Sequence, residues 1–150
     1  MNLAKALAAA LAVNRAAFGL NYLIRPEEAR KSWIGPVAKV PATQVIVRSQ
    51  GARDIALGGG ALRALARGDR RELRAWVAGQ TLADLTDLVA TRTARRKLPK
   101  KQARLATIVA GVSTVVGAGA VAGLSRPARS EEPSVPRSGA ASTQGSPPAT

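Results

Sequence analysis

"GARDIALGGG", residues 51–60, sets an arginine beside an aspartate in the middle of an apolar stretch built largely from small residues. Small residues suit a helix whose neighbours come close, as helices in a bilayer do. A lone arginine or aspartate at the centre of such a helix costs about 2.5–3.5 kcal/mol on insertion-derived scales. The stretch therefore reads as one helix of a bundle whose neighbours answer both charges, and those neighbours must be found elsewhere in the chain.

The 150 residues give one domain by length, with room for a tail. Apolar residues make up 46%, but aromatics only 3%, so a large water-facing domain core is hard to build from this chain. Mean hydropathy is −0.01, an average that dilutes apolar segments with basic connectors and a polar end. Lys and Arg outnumber Asp and Glu by 23 to 9, a formal charge of +14 that implies a polyanion nearby, nucleic acid or the anionic face of a bilayer. With no cysteine and no histidine there is no thiol nucleophile, disulfide, usual zinc set or imidazole relay. "GGG" at 58–60 is not a phosphate loop, because no Lys-Ser/Thr follows it and no strand precedes it.

Four apolar segments emerge, at about 3–24, 43–65, 72–90 and 103–124. Each is about 20 residues, enough to span roughly 30 Å of hydrocarbon. Arg25-Pro26 stops the first, and Asp69 with Glu72 reads as a capping pair before the third. A cleaved leader fits the first residues loosely, but the helical pattern runs on past Arg15 to Ile24, which favours a first spanning helix. The expected fold class is all-α: a four-helix transmembrane domain over residues 1–125, then a Ser/Pro-rich disordered tail over 126–150. The expected location is the plasma or inner membrane, crossed several times.

Segment four has one charge, Arg104, near its start, whereas the others carry Arg15, Arg48, Arg53, Asp54, Asp84 and Asp87 inside. Charges within spanning segments normally face the bundle interior and pair. Counting from segment ends places Arg53 level with Asp84, and Arg15 near Asp54. Trp76, Gln80, Asp84 and Asp87 share one face of segment three, and Ser49, Arg53, Ala56 and Gly60 share one face of segment two. Arg53 and Asp54, about 100° apart around their helix, then reach different neighbours. The expected polar cluster is Arg15, Arg53, Asp54, Gln80, Asp84 and Asp87. It serves either as a set of structural clasps or as a pocket for a small ligand or a proton. Glycines 111, 119 and 123 of segment four read as packing positions.

Connector three holds Arg92, Arg95, Arg96, Lys97, Lys100, Lys101 and Arg104. The run reads as a topology signal whose side chains contact anionic lipid headgroups. Nucleic acid is disfavoured, since no aromatic interleaves the run for stacking. With Arg25, Arg30, Lys31 and Lys39 of connector one, eleven basic residues lie at that end. Eight lie at the other: Lys5, Arg67, Arg70, Arg71, Arg74, Arg126, Arg129 and Arg137. The balance leans toward connectors one and three inside.

"RAAFGLNYLIRPEEARKSWIG" followed by "RSQGARDIALGGGALRALARGDRRELRAWVAGQTLADLTDLVA" resembles an uncharacterised family of small four-helix integral membrane proteins. That family carries a Gly-x-Arg-Asp motif in helix two, a Gly-Asp-Arg-Arg connector and acids late in helix three. The resemblance covers roughly residues 13–124 and extends distantly to DoxX-like membrane proteins; the basic third connector and the tail lie outside the shared pattern. It implies a membrane domain of unknown function and no activity. The expected role is an accessory or partner subunit of other membrane proteins, a homo-oligomer, or a binder of a small apolar or lipidic ligand. No cofactor and no catalysis are expected. The alternatives are a soluble or peripheral basic helical protein on nucleic acid or an anionic membrane surface, and a weak enzyme or redox helper using Asp84 and Asp87.

Overall fold

The computed structural model describes residues 3–126. They form five α-helices and one 3-10 helix, with no strand among the described residues. The helices are α1 (Leu3–Ile24), α2 (Pro26–Ile34), α3 (Pro41–Ala66), α4 (Arg70–Ala94) and α5 (Lys100–Ser125), with the 3-10 turn at Gly35–Lys39. The expectation of a disordered tail falls on residues outside those described, from 127 onward.

Connector one, read from sequence as a linker, is largely helical. Pro26 opens α2 at the position where a missing N–H costs nothing, and Glu27 and Glu28 in its first turn favour the helix dipole. Gly35, at φ 70°, ends it by turning into the left-handed region. Asp69 caps α4 by accepting from the Glu72 N–H at 2.9 Å, and α4 continues a turn past Ala90 to carry Arg92.

The four long helices run antiparallel to their neighbours: α1 lies between α3 and α5, and α4 closes the ring on the opposite corner. The closest approach is α1 on α3. A Cβ added at Gly51 would stand 2.6 Å from the Gly19 carbonyl, and one at Gly58 would stand 2.6 Å from the Ala12 carbonyl. Buried positions on α3 (Val47, Gly51, Asp54, Gly58, Ala61) alternate by four and three, one face of the helix. Ser49 and Ala56, expected on a packing face with Arg53, are exposed instead. On α5, Gly123 meets Ala4 and Gly117 meets Thr81, whereas Gly111 and Gly119 face open space.

The interior is made of small side chains: one core cluster gathers Ala8, Ala12, Ala61, Ala64, Ala120 and Leu124 around Leu73 and Val77. Leu73 and Val77 are the largest fully buried side chains. The larger apolar residues point outward on every long helix, among them Phe18 and Leu20 on α1, Ile46 on α3, Leu82 on α4 and Ile108 and Val115 on α5. Helices α1 and α5 are long and apolar enough to cross a membrane, and fewer than a quarter of the residues in either span are buried. Core helices of water-soluble domains are mostly buried, and these two are not.

Candidate functional site

Midway along the helices the small-residue interior gives way to charge. Arg15 of α1 donates through Nη1 to Asp54 Oδ1 of α3 at 2.9 Å and through Nη2 to Asp84 Oδ1 of α4. It also reaches the Gln80 carbonyl at 3.4 Å. Its side chain and that of Asp54 are only about a tenth exposed, at 10% and 9%. Arg53 wraps back to its own neighbour, donating from Nε and Nη2 to Asp54 Oδ1 at 3.3 and 3.2 Å, and reaches Asp87 Oδ2 at 3.3 Å. Asp84, Arg15, Asp54, Arg53 and Asp87 thus form one continuous chain across α1, α3 and α4. The reading of Arg53 against Asp84 is corrected: Arg15 takes Asp84 from across the diagonal, and Arg53 pairs with Asp87 one turn on.

Gln80, the remaining member of the expected cluster, is buried beside it. Its Nε2 donates to the Leu57 carbonyl at 3.2 Å, while its Oε1 has no partner among the described residues. Trp76, which shares its helix face, stays out of the cluster and packs against Gly60, with Nε1 donating to Glu72 at 3.2 Å.

Three guanidinium groups balance the three carboxylates once Arg30 is counted, and sequence reasoning missed Arg30 as a site residue. It is 5% exposed, and its guanidinium carbon sits over two rings, 4.4 Å from the Tyr22 centroid and 4.8 Å from that of Trp33. It donates from Nη2 to Gln50 Oε1, and Gln50 Nε2 in turn donates to Asp87 at 3.3 Å. The Nε of Arg30 has no partner among the described residues. The signal was present in "RPEEARKSW", where the Pro-Glu-Glu start marks a helix and puts Arg30 and Trp33 on one face.

A cavity of about 230 Å³ opens above this cluster, between α1 and α5 and under α2. Its depth is lined by Arg15, Arg30, Asp54, Asp84 and Asp87, and its exposed lining residues are Asn14, Phe18, Leu105 and Val109. The floor is ionic and the mouth is mainly apolar. A second cavity of about 190 Å³ lies on the far side of Arg30 and Trp33, against Val47 and Thr91. Among the described residues no group of three or more Asp, Glu, His or Cys side chains is placed to hold a metal ion.

At the end of the molecule that carries α2, Arg92, Arg95, Arg96, Lys97, Lys100, Lys101 and Arg104 are all exposed, and none makes an ion pair among the described residues. Lys100 and Lys101 open α5, where the helix dipole disfavours cations, so helix stability does not account for their place. At the opposite end Arg70 caps α5, donating to the carbonyls of Leu124 at 2.8 Å, Gly123 at 3.3 Å and Arg126.

The described residues thus form an all-helical chain with mainly small residues and ion pairs inside and many large apolar residues outside. The family model "Domain of unknown function (DUF4267)" matches residues 12–124, and the chain belongs to that family. The match bears out the resemblance to an uncharacterised family and takes in every residue of the charged cluster. No curated protein and no solved structure matches the chain significantly.

Proposed function

We propose that the protein is a four-helix transmembrane bundle of the plasma or inner membrane that binds a small apolar or lipidic ligand between α1 and α5. The observation that carries this reading is the inverted side-chain distribution around the cavity. Burial selects large apolar residues in water-soluble proteins; here most buried positions hold Ala or Gly, with Arg30, Asp54 and Gln80 among them and only a few larger apolar residues such as Leu73 and Val77, while Phe18, Leu105 and Val109 stand at the mouth. In a bilayer that mouth faces acyl chains, so an apolar molecule enters from the side without crossing water. The charged floor then supplies orientation, as the few polar groups of an apolar site do. Exposed Arg95, Arg96, Lys97, Lys100 and Lys101 lie at headgroup level on one face and contact anionic lipid. A second reading, a subunit of a homo-oligomer or of a larger membrane assembly, is favoured by Gly111 and Gly119, which leave open space on the outside of α5.

Extraction of membranes with alkaline carbonate and high salt tests the location: a spanning bundle stays in the pellet. Release by salt sinks this reading in favour of a peripheral basic protein. Native mass spectrometry of the retained protein then reports bound lipids and subunit number. Bound lipid on a single chain supports the ligand reading, and stable multimers free of lipid support the subunit reading.

A further inference from the structure

The larger cavity holds two hydrogen-bonding side chains that the ion-pair chain leaves unused. Asn14 of α1 is exposed and Ser113 of α5 is half-buried, and both line that cavity and not the second. Neither side chain makes a hydrogen bond among the described residues. Ser113 stands apart on its own helix, where Thr107, Thr114 and Ser125 each donate to the carbonyl four residues back, at 2.7, 2.8 and 2.9 Å. It is also open: the side-chain atoms both sealed and unpartnered among the described residues are Arg30 Nε and Gln80 Oε1, and the Ser113 hydroxyl is not one of them. Both groups are therefore within reach of a molecule in the cavity.

Their depth selects the ligand. At 1.5 Å per residue Asn14 lies about 15 Å from the α2 end of α1, and Ser113 about 20 Å from the start of α5. In the bundle proposed above that is the middle of a hydrocarbon layer roughly 30 Å thick, where no water meets an unpaired carboxamide or hydroxyl. The head of a bilayer phospholipid stays at the interface and does not descend to them. A charged group is costly at that depth. A carboxamide and a hydroxyl each donate and accept. A hydroxyl on the ligand answers both roles, whereas an ether or ester oxygen can only accept. From Ser113 the cavity follows α5 for about 12 Å to Leu105, room for a chain of about eight carbons.

We infer that the larger cavity binds a membrane-dissolved, uncharged long-chain alcohol, whose hydroxyl pairs with Asn14 and Ser113 and whose chain lies between α1 and α5 toward Trp33. This rests on the ligand-binding reading above and names its chemistry.

The test uses the full chain in phosphatidylcholine vesicles and three probes of equal chain length: a terminally brominated octanol, the matching bromooctane and the matching bromooctanoate. Bromine quenches tryptophan on contact, and a hydroxyl seated on Ser113 sends the bromine toward Trp33 at the α2 end of the cavity. Trp76 lines neither cavity and adds only a linear background. Concentrations are counted within the membrane, so that partitioning cancels. The expected result is saturable quenching by the alcohol, with affinity about tenfold above that of the bromoalkane and of the carboxylate. Asn14→Leu and Ser113→Ala each lower the alcohol's affinity by on the order of threefold to tenfold and leave the bromoalkane unchanged. Because Trp33 also lines the second cavity, these two variants assign the site, and a preference for the alcohol that survives both overturns the role of Asn14 and Ser113. Equal affinity of alcohol and bromoalkane overturns the hydroxyl inference while leaving apolar binding in place. A carboxylate bound as tightly as the alcohol overturns the uncharged head. Purely linear quenching by all three probes overturns the ligand reading itself, and the probe comparison on the unsubstituted chain needs no variant to fold.

Discussion

The three consecutive glycines 58–60 face three different surroundings one residue apart, which makes them an internal control on how α1, α3 and α4 pack. A Cβ at Gly58 meets backbone, the Ala12 carbonyl at 2.6 Å and the Ala16 nitrogen at 2.9 Å, so α1 and α3 must separate to admit it. A Cβ at Gly59 meets nothing within 4 Å. A Cβ at Gly60 meets the ring of Trp76, a side chain that gives way more readily than backbone. Replacing glycine by alanine inside a helix gains about 1 kcal/mol of propensity at each position, so that contribution cancels in comparison. Overpacking costs about 1–3 kcal/mol. Gly58→Ala should therefore lie about 1–3 kcal/mol below Gly59→Ala, with Gly60→Ala between them. At roughly 2–4 °C per kcal/mol for a chain of this size, the gap is read by heating detergent-purified protein and following the monodisperse fraction by size exclusion. If Gly59→Ala loses as much as Gly58→Ala, α3 presents a different face to α1 and the packing described here is wrong.

Asp54→Asn removes the carboxylate shared by Arg15 and Arg53; because each keeps a second partner, Asp84 and Asp87, no charge is left alone and stability should fall by about 1.5–3 kcal/mol, the worth of a hydrogen bond to a charged group. Asp87→Asn should cost no more than about 1 kcal/mol, because Asp87 is 25% and its partner Arg53 37% exposed; SDS titration of the folded fraction ranks the two, and equal losses would contradict the bridging role of Asp54. Replacing Arg95, Arg96 and Lys97 together by Gln weakens the basic bias of the α2 end, where each cation near an anionic surface is worth about 1 kcal/mol. Accessibility tags on both sides of the membrane should then report a mixed orientation, and an unchanged single orientation would assign the topology signal elsewhere.

Helices α1 and α5 were legible because length and composition alone mark them, and Asp69 with Glu72 announced the start of α4. The charge pairing was legible only along the helix axis. Leu57 lies level with Gln80, and Gly60 with Trp76, so Arg53 does stand level with Asp84, as counting from the ends implied. Depth says nothing about position around the helix, nor about competition. Arg15 arrives from the diagonal helix, occupies Asp84, and leaves Arg53 to Asp54 and Asp87. Arg30 escaped notice for a different reason: a basic residue in a basic connector looks like a topology charge. Only the fold of α2 back over Tyr22 turns it inward. The packing glycines of α5 were misread in part, since spacing cannot say which face of a helix meets a partner.

The ion-pair chain joins α1, α3 and α4 and leaves α5 out. From Leu105 onward α5 carries no charge within its span, and it is held at its C-terminal end by Arg70 and by the contact of Gly123 with Ala4. Parting α1 from α5 at the α2 end therefore breaks no ion pair, and of the α5 side chains there Leu105 and Val109 are already exposed and Ala106 is small and apolar. Parting α1 from α3 would strand Arg15 and Asp54 in the apolar phase at a cost of several kcal/mol. The same charges that commit three helices to one another thus leave a single compliant wall, and the cavity lies along it. On the proposed ligand-binding reading, that asymmetry lets the charged cluster serve the site as well as the fold, a polar floor on one side and an apolar wall without ion pairs on the other.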